Sequence, residues 1–320
     1  MCIRDRSPDG KTYAYQAGWK GFHIIDVTDP SNTTVTAWYN DPYTQVLDIK
    51  YLQYNGREYI ICQNQIVDSG QSDPNVGEWD DPAQVSVNLV DVTDKFDPQW
   101  IDSWYDTDHP SGPHNLYTYM IKDEWYIFVA NPDYEDCDIG TGDACGGITI
   151  AHLNFAGYGD LPRIFKVGEA EVSWENPFGA DHHIPGGEEW LLFSPHNADT
   201  VWFDTSGGGD TSHGGTWDGR IYMGNYHTGL WVLDVETLMV GNGYLDNTYR
   251  EATIGYYLPH GADGVPLESQ FYDFGWVPFL WTSEYHNGYV YLSCITSGLY
   301  IVQLDLDVPY VDTNLAVSED

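Results

Sequence analysis

Short runs of apolar and β-branched residues recur along the chain, and polar turns separate them. Five runs share one template: a small residue, then four or five apolar residues, then in most copies an acidic turn that often carries proline. The copies are GFHIIDVTDP (21–30), SVNLVDVTDKFDP (86–98), GGITIAHLNF (146–155), GLWVLDVETL (229–238) and GLYIVQLDLD (298–307). A fixed template repeated along a chain indicates one structural unit used several times.

Each copy follows a Tyr-rich aliphatic segment, such as REYIICQN or GRIYMGNY, and Asn-Gly or Asp-Gly commonly precedes that segment. These dipeptides form hairpin turns because they accept positive φ at little cost. A returning segment such as TTVTAWYN often follows the acidic turn. The pattern predicts an all-β fold, a β-propeller with about five or six blades of four-stranded antiparallel sheets.

The opening segment MCIRDR has no counterpart in the repeats. We expect residues 1–6 to be non-native read-through, residues 7–308 to form a single propeller domain and residues 309–320 to be a C-terminal tail. On this interpretation the propeller is truncated at its N-terminus, and an export signal has been lost with the missing part.

The repeat resembles the LVIVD repeat, which occurs in β-propeller proteins often assigned to bacterial and archaeal cell surfaces. The best matches are Gly21 to Pro30, Gly229 to Val235 and Gly298 to Leu304. The copies at 86–98 and 146–155 depart from it, since one lacks the leading Gly-Leu and the other lacks the Asp. The resemblance implies a propeller scaffold and carries no particular chemistry.

The formal net charge is -37, from 49 acidic and 12 basic residues. Such a chain repels phosphates and anionic lipid surfaces, so nucleic acid and membranes are excluded as partners. No apolar run is long enough for a membrane helix. An acidic surface is typical of halophilic or marine proteins and of proteins outside the cell, so we expect an extracellular or cell-surface monomer.

Pro-His-Asn occurs twice, around His114 and His196, each time before a predicted first strand. First strands line the channel of a propeller, so both histidines are candidates for a channel site. Neutral imidazoles bind copper, zinc, iron or manganese. Histidines in the channel give the chain a general similarity to the selenium-binding protein and methanethiol oxidase group. The alternative is that these histidines are polar turn residues bonded to backbone. The full candidate set is His114, His183, His196 and His227, with His182 as a further candidate.

The segment NPDYEDCDIGTGDAC is a second candidate metal site, for calcium. The alternative is that this segment is a solvated acidic loop, because Gly140 occupies a position at which an EF-hand carries a calcium ligand. Cys137 and Cys145 flank the loop and form a candidate disulfide, while Asn32 lies in a glycosylation sequon. The candidate calcium ligands are Asp133, Asp136, Asp138 and Asp143.

Three functions follow from these observations. The first is an extracellular or cell-surface scaffold that binds a protein, a glycan or a small molecule, because the sequence contains no Gly-x-Ser-x-Gly, His-Glu-x-x-His or Cys-x-x-Cys motif. The second is a metal-dependent enzyme, an oxidoreductase or lyase, with its metal on histidines in the central channel. The third is a calcium-stabilised structural module, which differs from the first only in its ion.

Overall fold

A computed structural model of the chain describes twenty β-strands in five sheets. The described residues are 2–4, 7–18, 20–40, 45–65, 87–105, 113–121, 124–131, 147–155, 162–171, 195–203, 216–225, 229–235, 247–248, 253–257, 259, 280–286, 288–295 and 298–303.

The sheets follow one another in chain order, and within each sheet consecutive strands are hydrogen-bonded neighbours. The first sheet contains β1 (Cys2–Arg4), β2 (Tyr13–Gly18), β3 (Gly21–Asp26) and β4 (Thr34–Asn40). The second contains β5 (Gln45–Tyr54), β6 (Arg57–Gln65), β7 (Val87–Asp91) and β8 (Gln99–Trp104).

The third sheet contains β9 (Asn115–Ile121), β10 (Glu124–Asn131), β11 (Gly147–Asn154) and β12 (Arg163–Glu171), with β16 (Asn247–Thr248) parallel to β12. The fourth contains β13 (Pro195–Phe203), β14 (Thr216–Asn225), β15 (Gly229–Asp234) and β17 (Thr253–Tyr257). The fifth contains β18 (Leu280–His286), β19 (Tyr289–Cys294) and β20 (Gly298–Gln303).

This pattern of successive antiparallel sheets confirms the predicted all-β propeller fold class. Two sheets differ from the predicted four strands. The third gains the short parallel strand β16, and the fifth has three strands among the residues described.

The segment predicted to be non-native contributes β1, which pairs with β2. Within the described ranges, no helix is long and apolar enough to cross a membrane.

Two compact units divide the chain. The first comprises Met1–Thr118 and His152–Phe165, and the second comprises Tyr119–Ala151 and Lys166–Asp320. The single domain expected over 7–308 stays a prediction. Each unit has its own core, formed where two successive sheets meet.

In the first unit, one face of the first sheet packs against the second sheet. Tyr15, Phe22 and Ile24 are fully buried against a face that carries Ile60 and Val90. We call a face that packs on the following sheet the leading face, and a face that packs on the preceding sheet the trailing face. Because side chains alternate between the two faces of a strand, the repeat keeps both faces apolar.

The second unit repeats this packing between the fourth and fifth sheets. Leu230 and Val232 lie on the leading face of the fourth sheet, and they pack against Val290 and Leu292 on the trailing face of the fifth. Ser283 Oγ in β18 also donates a hydrogen bond of 2.7 Å to the Tyr222 carbonyl in β14.

A buried ion pair lies within the second sheet, at the opposite end of β6 from the candidate site described below. Lys95 Nζ lies 2.6 Å from Glu58 Oε2, and both side chains are almost fully buried. Ser7 Oγ donates to the same carboxylate oxygen at 2.8 Å, and Tyr51 OH donates to Oε1 at 2.7 Å. Lys95 also donates to the Val92 carbonyl at 2.7 Å. The carboxylate and the ammonium group are therefore both well supplied with partners.

The turn between β5 and β6 has the backbone that its Asn-Gly sequence predicts. Asn55 has φ of 49° and Gly56 has φ of 77°, so both lie in the left-handed region. A Cβ at Gly56 meets no atom within 4 Å, which leaves backbone strain as the cost of a side chain.

Gly56→Ala is therefore expected to lower the free energy of unfolding by about 1 kcal/mol. Urea denaturation measures the change. Gly18→Ala is the matched control and should change stability little, because Gly18 lies outside the left-handed region and a Cβ there comes no closer than 4.0 Å to another atom. A Gly56→Ala protein as stable as wild type would contradict this account of the turn.

Candidate functional site

A β-bulge recurs at the start of the first strand in three sheets. In β13, Pro195 pairs with Asn225 and Asn197 pairs with Gly224, which leaves His196 as the extra residue. In β18, Trp281 is extra between the partners of Cys294 and Ser293. Bulges re-aim side chains and are common beside functional sites.

The bulge of β5 lies at the same register position. Val46 pairs with Asn64 and Ile49 pairs with Cys62, so Leu47 and Asp48 together face Gln63. In each of the three sheets the bulge therefore faces the end of the second strand. The residues at that end are Asn64, Asn225 and Cys294.

Amide side chains are buried at the ends of the second strands. Gln63, Asn131 and Asn225 are each at most 1% exposed. Gln63 Oε1, Asn131 Oδ1 and both amide atoms of Asn225 have no hydrogen-bond partner among the residues that the structure describes. A buried polar atom without a partner costs free energy, so these groups are candidates for binding a polar ligand.

His114 lies beside this end of the second sheet, just before β9. Gln63 Nε2 donates a hydrogen bond to the His114 carbonyl. Burial of the imidazole lowers the pKa of His114 to about 4, and the nearby Asp48 carboxylate acts in the opposite direction. The imidazole is therefore neutral at pH 7, with a nitrogen lone pair that can accept a proton or bind a metal.

The bulge residue Asp48 is the charged group of this region. Its Oδ2 accepts a hydrogen bond from Lys50 Nζ at 2.6 Å, and its Oδ1 accepts one from the Ile49 amide at 2.8 Å. The ammonium group of Lys50 lies 4.7 Å from the ring centroid of Tyr117 in β9. The carboxylate thus has a cation partner and a fixed position.

The pKa of His114 makes stability depend on pH. Unfolded histidine binds a proton near pH 6.5, whereas folded His114 binds one only near pH 4. Its contribution is complete above pH 6.5 and is lost as the pH falls toward 4, so it can amount to as much as about 3 kcal/mol.

His114→Gln is expected to remove this part of the acid sensitivity. The measurement is the urea midpoint of both proteins at a series of pH values between 7 and 4. The difference between the two proteins should change mainly below pH 6.5. An unchanged difference across that range would contradict the burial of a neutral imidazole.

The predicted histidine cluster lies mostly outside the described side chains. His114 is described in full, and His196 is placed by its backbone in the bulge of β13. His182, His183 and His227 lie outside the described residues. Over the described ranges, no three His, Cys, Asp or Glu side chains group as a metal site. The four-histidine site therefore stays a prediction.

The remaining predicted sites are also untested. The calcium loop with Asp133, Asp136, Asp138 and Asp143, and the pair Cys137 and Cys145, lie outside the described residues. Asn32 is exposed in the turn after β3, and its backbone N–H donates a hydrogen bond to the Asp29 backbone carbonyl at 2.9 Å. Its side chain is accessible, as a glycosylation site requires.

Asp48, Gln63 and Trp281 were not predicted as site residues. Each occupies a strand in which it reads as an ordinary strand residue. A polar residue directly after two apolar ones, as in VLD or ICQ, is the signal that marks two of them.

No family model matches the chain, and no curated protein matches it. Its resemblance to the LVIVD repeat therefore stays a prediction. Several solved structures are similar at low identity. CoXyl43, a GH43 β-xylosidase/α-arabinofuranosidase from a compost microbial metagenome, is 14% identical with a TM-score of 0.41, over 95% of this chain and 89% of that one.

A β-1,2-mannobiose phosphorylase from Listeria innocua is 12% identical with a TM-score of 0.36, over 91% of this chain and 65% of that one. The extracellular domain of a one-component system from B. thetaiotaomicron is 10% identical with a TM-score of 0.30, over 95% of this chain and 43% of that one. Likenesses at these scores do not establish a shared function.

Proposed function

We propose that the protein is an extracellular or cell-surface propeller scaffold that binds an uncharged polar ligand, such as a glycan, at the bulged first-strand ends of the fourth and fifth sheets, both in the second unit. The observation that carries this proposal is the same bulge in β13 and β18, opposite second-strand ends that carry the buried residues Asn225 and Cys294.

The chemistry of these groups favours a neutral, hydroxyl-bearing ligand. An amide both donates and accepts hydrogen bonds without carrying charge, and this matches a hydroxyl group. The net charge of -37 disfavours anionic ligands. In the second unit, Asn225 ends β14, and the neighbouring strand β18 carries the half-exposed aromatic ring of Trp281. Sites that combine apolar surface with a few placed polar groups are typical of small-molecule binding.

Asn225→Leu separates a binding role from a structural one. If the amide serves a ligand, leucine removes a buried polar group and raises the free energy of unfolding by about 1 kcal/mol, while binding is lost. If the amide holds the fold together, the same substitution lowers stability. Urea denaturation and isothermal titration calorimetry with neutral oligosaccharides measure the two effects on one protein.

Trp281→Ala is the companion variant, and Trp100→Ala is its control. Both tryptophans are partly exposed, but Trp100 lies in β8, the fourth strand of its sheet. We expect Trp281→Ala to weaken binding about tenfold or more and Trp100→Ala to leave it unchanged. Equal losses in both variants would contradict a site at the first-strand ends.

A metal-dependent oxidoreductase or lyase is the second candidate function. The observation that favours it is His114, whose imidazole is neutral at pH 7, as a metal ligand must be. The remaining ligands would be His183, His196 and His227, and the metal would be copper, zinc, iron or manganese. Elemental analysis of the wild type beside His114→Ala and His196→Ala tests it: stoichiometric metal lost in both variants supports the enzyme, and metal-free wild type contradicts it.

A further inference from the structure

Two polar side chains of the second sheet contact the same short backbone segment, where β9 begins. Gln63 Nε2 donates a hydrogen bond to the His114 carbonyl. Asp48 Oδ2 accepts a long hydrogen bond of 3.5 Å from the Leu116 backbone N–H. The bulge of β5 also places Asp48 opposite Gln63 in the strand register. The carboxylate and the side-chain amide are therefore neighbours, and all four residues belong to the first unit.

The oxygen of the Gln63 amide is a buried acceptor. Gln63 is 0% exposed, and its Oε1 has no hydrogen-bond partner among the residues that the structure describes. The amide cannot be turned over to relieve this, because its oxygen would then face the His114 carbonyl. A buried acceptor without a partner costs free energy, and only a hydrogen-bond donor satisfies it.

An ammonium group already binds the neighbouring carboxylate. Lys50 Nζ lies 2.6 Å from Asp48 Oδ2 and 4.7 Å from the ring centroid of Tyr117. The side chain of Lys50 is 28% exposed and that of Asp48 is 18% exposed, so solvent reaches the pair. Lysine has a flexible four-carbon stem, and a pair of this exposure is weak. We call the group formed by Asp48, Gln63 and Tyr117 the β5 corner.

The chemistry of the β5 corner favours a cation that carries several donors. The Asp48 carboxylate and Gln63 Oε1 are both acceptors, and a primary ammonium group has three donors and no acceptor. A neutral hydroxyl group supplies one donor and lacks the charge that strengthens a hydrogen bond to a carboxylate. The net charge of -37 attracts cations and repels anions. Lys50 shows that an ammonium group fits against Asp48 and Tyr117.

We propose that the β5 corner binds a small molecule through a primary ammonium group, which replaces Lys50 on Asp48 and also donates to Gln63 Oε1. Lys50 is then an internal competitor for the carboxylate. The corner lies in the first unit, and its ligand is a cation. The glycan site proposed above lies in the second unit and takes a neutral ligand, so neither proposal depends on the other.

Calorimetric titration with n-butylammonium chloride tests the site, because this probe reproduces the end of a lysine side chain. The buffer contains about 0.15 M NaCl, which screens diffuse attraction to the acidic surface. We expect Lys50→Ala to bind one equivalent of the probe saturably, about tenfold more tightly than wild type, because the competitor has been removed. Adding Gln63→Leu or Asp48→Asn to Lys50→Ala should weaken binding about tenfold or more.

Lys11→Ala is the matched control. Lys11 makes the same kind of ion pair with Asp26 at an exposed position, so its removal should leave the affinity for the probe unchanged. The neutral probe 1-butanol has a similar shape and should bind far more weakly. Urea denaturation shows whether each variant is folded. If Asp48→Asn fails to fold, the comparison between Lys50→Ala with and without Gln63→Leu decides the outcome.

Four results would overturn the proposal. The first is the absence of saturable binding by Lys50→Ala. The second is an equal gain of affinity in Lys11→Ala, which would indicate general attraction of cations to an acidic chain. The third is binding of 1-butanol as tight as that of the ammonium probe. The fourth is an unchanged affinity when Gln63→Leu is added to Lys50→Ala.

Discussion

Replacing Lys95 with methionine is expected to lower the free energy of unfolding by about 3 to 5 kcal/mol. The ammonium group lies 2.6 Å from Glu58 Oε2, and both side chains are almost fully buried. Methionine fills a similar volume, so packing changes little. The carboxylate then stays buried with hydrogen bonds from Ser7 and Tyr51 but has lost the ammonium group of Lys95.

Urea denaturation of Lys95→Met beside wild type measures the loss. The double variant with Glu58→Gln and Lys95→Met is the control, because glutamine removes the uncompensated charge and should restore a large part of the stability. Lys11→Met breaks the exposed pair with Asp26 and is expected to leave the free energy of unfolding almost unchanged, because solvent screens that pair. Equal effects of Lys95→Met and Lys11→Met would contradict the assigned role of the buried pair.

Leu230→Ala and Leu299→Ala remove the same atoms at the same register position of neighbouring sheets. Leu230 is completely buried between the fourth and fifth sheets, and its loss is expected to cost about 2 to 5 kcal/mol. Leu299 is 64% exposed on the leading face of the fifth sheet, and its loss is expected to cost within about 0.5 kcal/mol.

The two leucine variants are compared with wild type by chemical denaturation. The difference between their free energies of unfolding measures how much packing against the following sheet stabilises one repeat. If Leu299→Ala were as destabilising as Leu230→Ala, the leading face of the fifth sheet would be covered in solution within a single copy.

The strands and their order could be predicted from the sequence because their signals are local. Each of these signals depends only on residues close together in the chain. They are the alternation of apolar residues, the Asn-Gly turn between β5 and β6, and the acidic turn after β7. The repeat then indicated the sheet order, since one template used several times implies one sheet for each copy. The short sheet at β18–β20 followed the same template up to its third strand.

The site could be predicted only in part, because its geometry depends on pairing between strands. The Pro-His-Asn motif pointed to His114 and His196, and both lie where a first strand begins. The bulge that contains Asp48 is a property of the register between β5 and β6, which neither strand shows alone. Lys95 likewise reads as a turn residue, but it is buried against Glu58, far away in the chain, whose carboxylate also accepts a hydrogen bond from Ser7.

The most direct test of the binding proposal is calorimetric titration of chelator-treated protein with a panel of neutral oligosaccharides. We expect saturable binding by metal-free wild type, with loss of binding in Asn225→Leu and Trp281→Ala and retention in Trp100→Ala. Binding that survives in all three variants, or that develops only after a transition metal is restored, would contradict it.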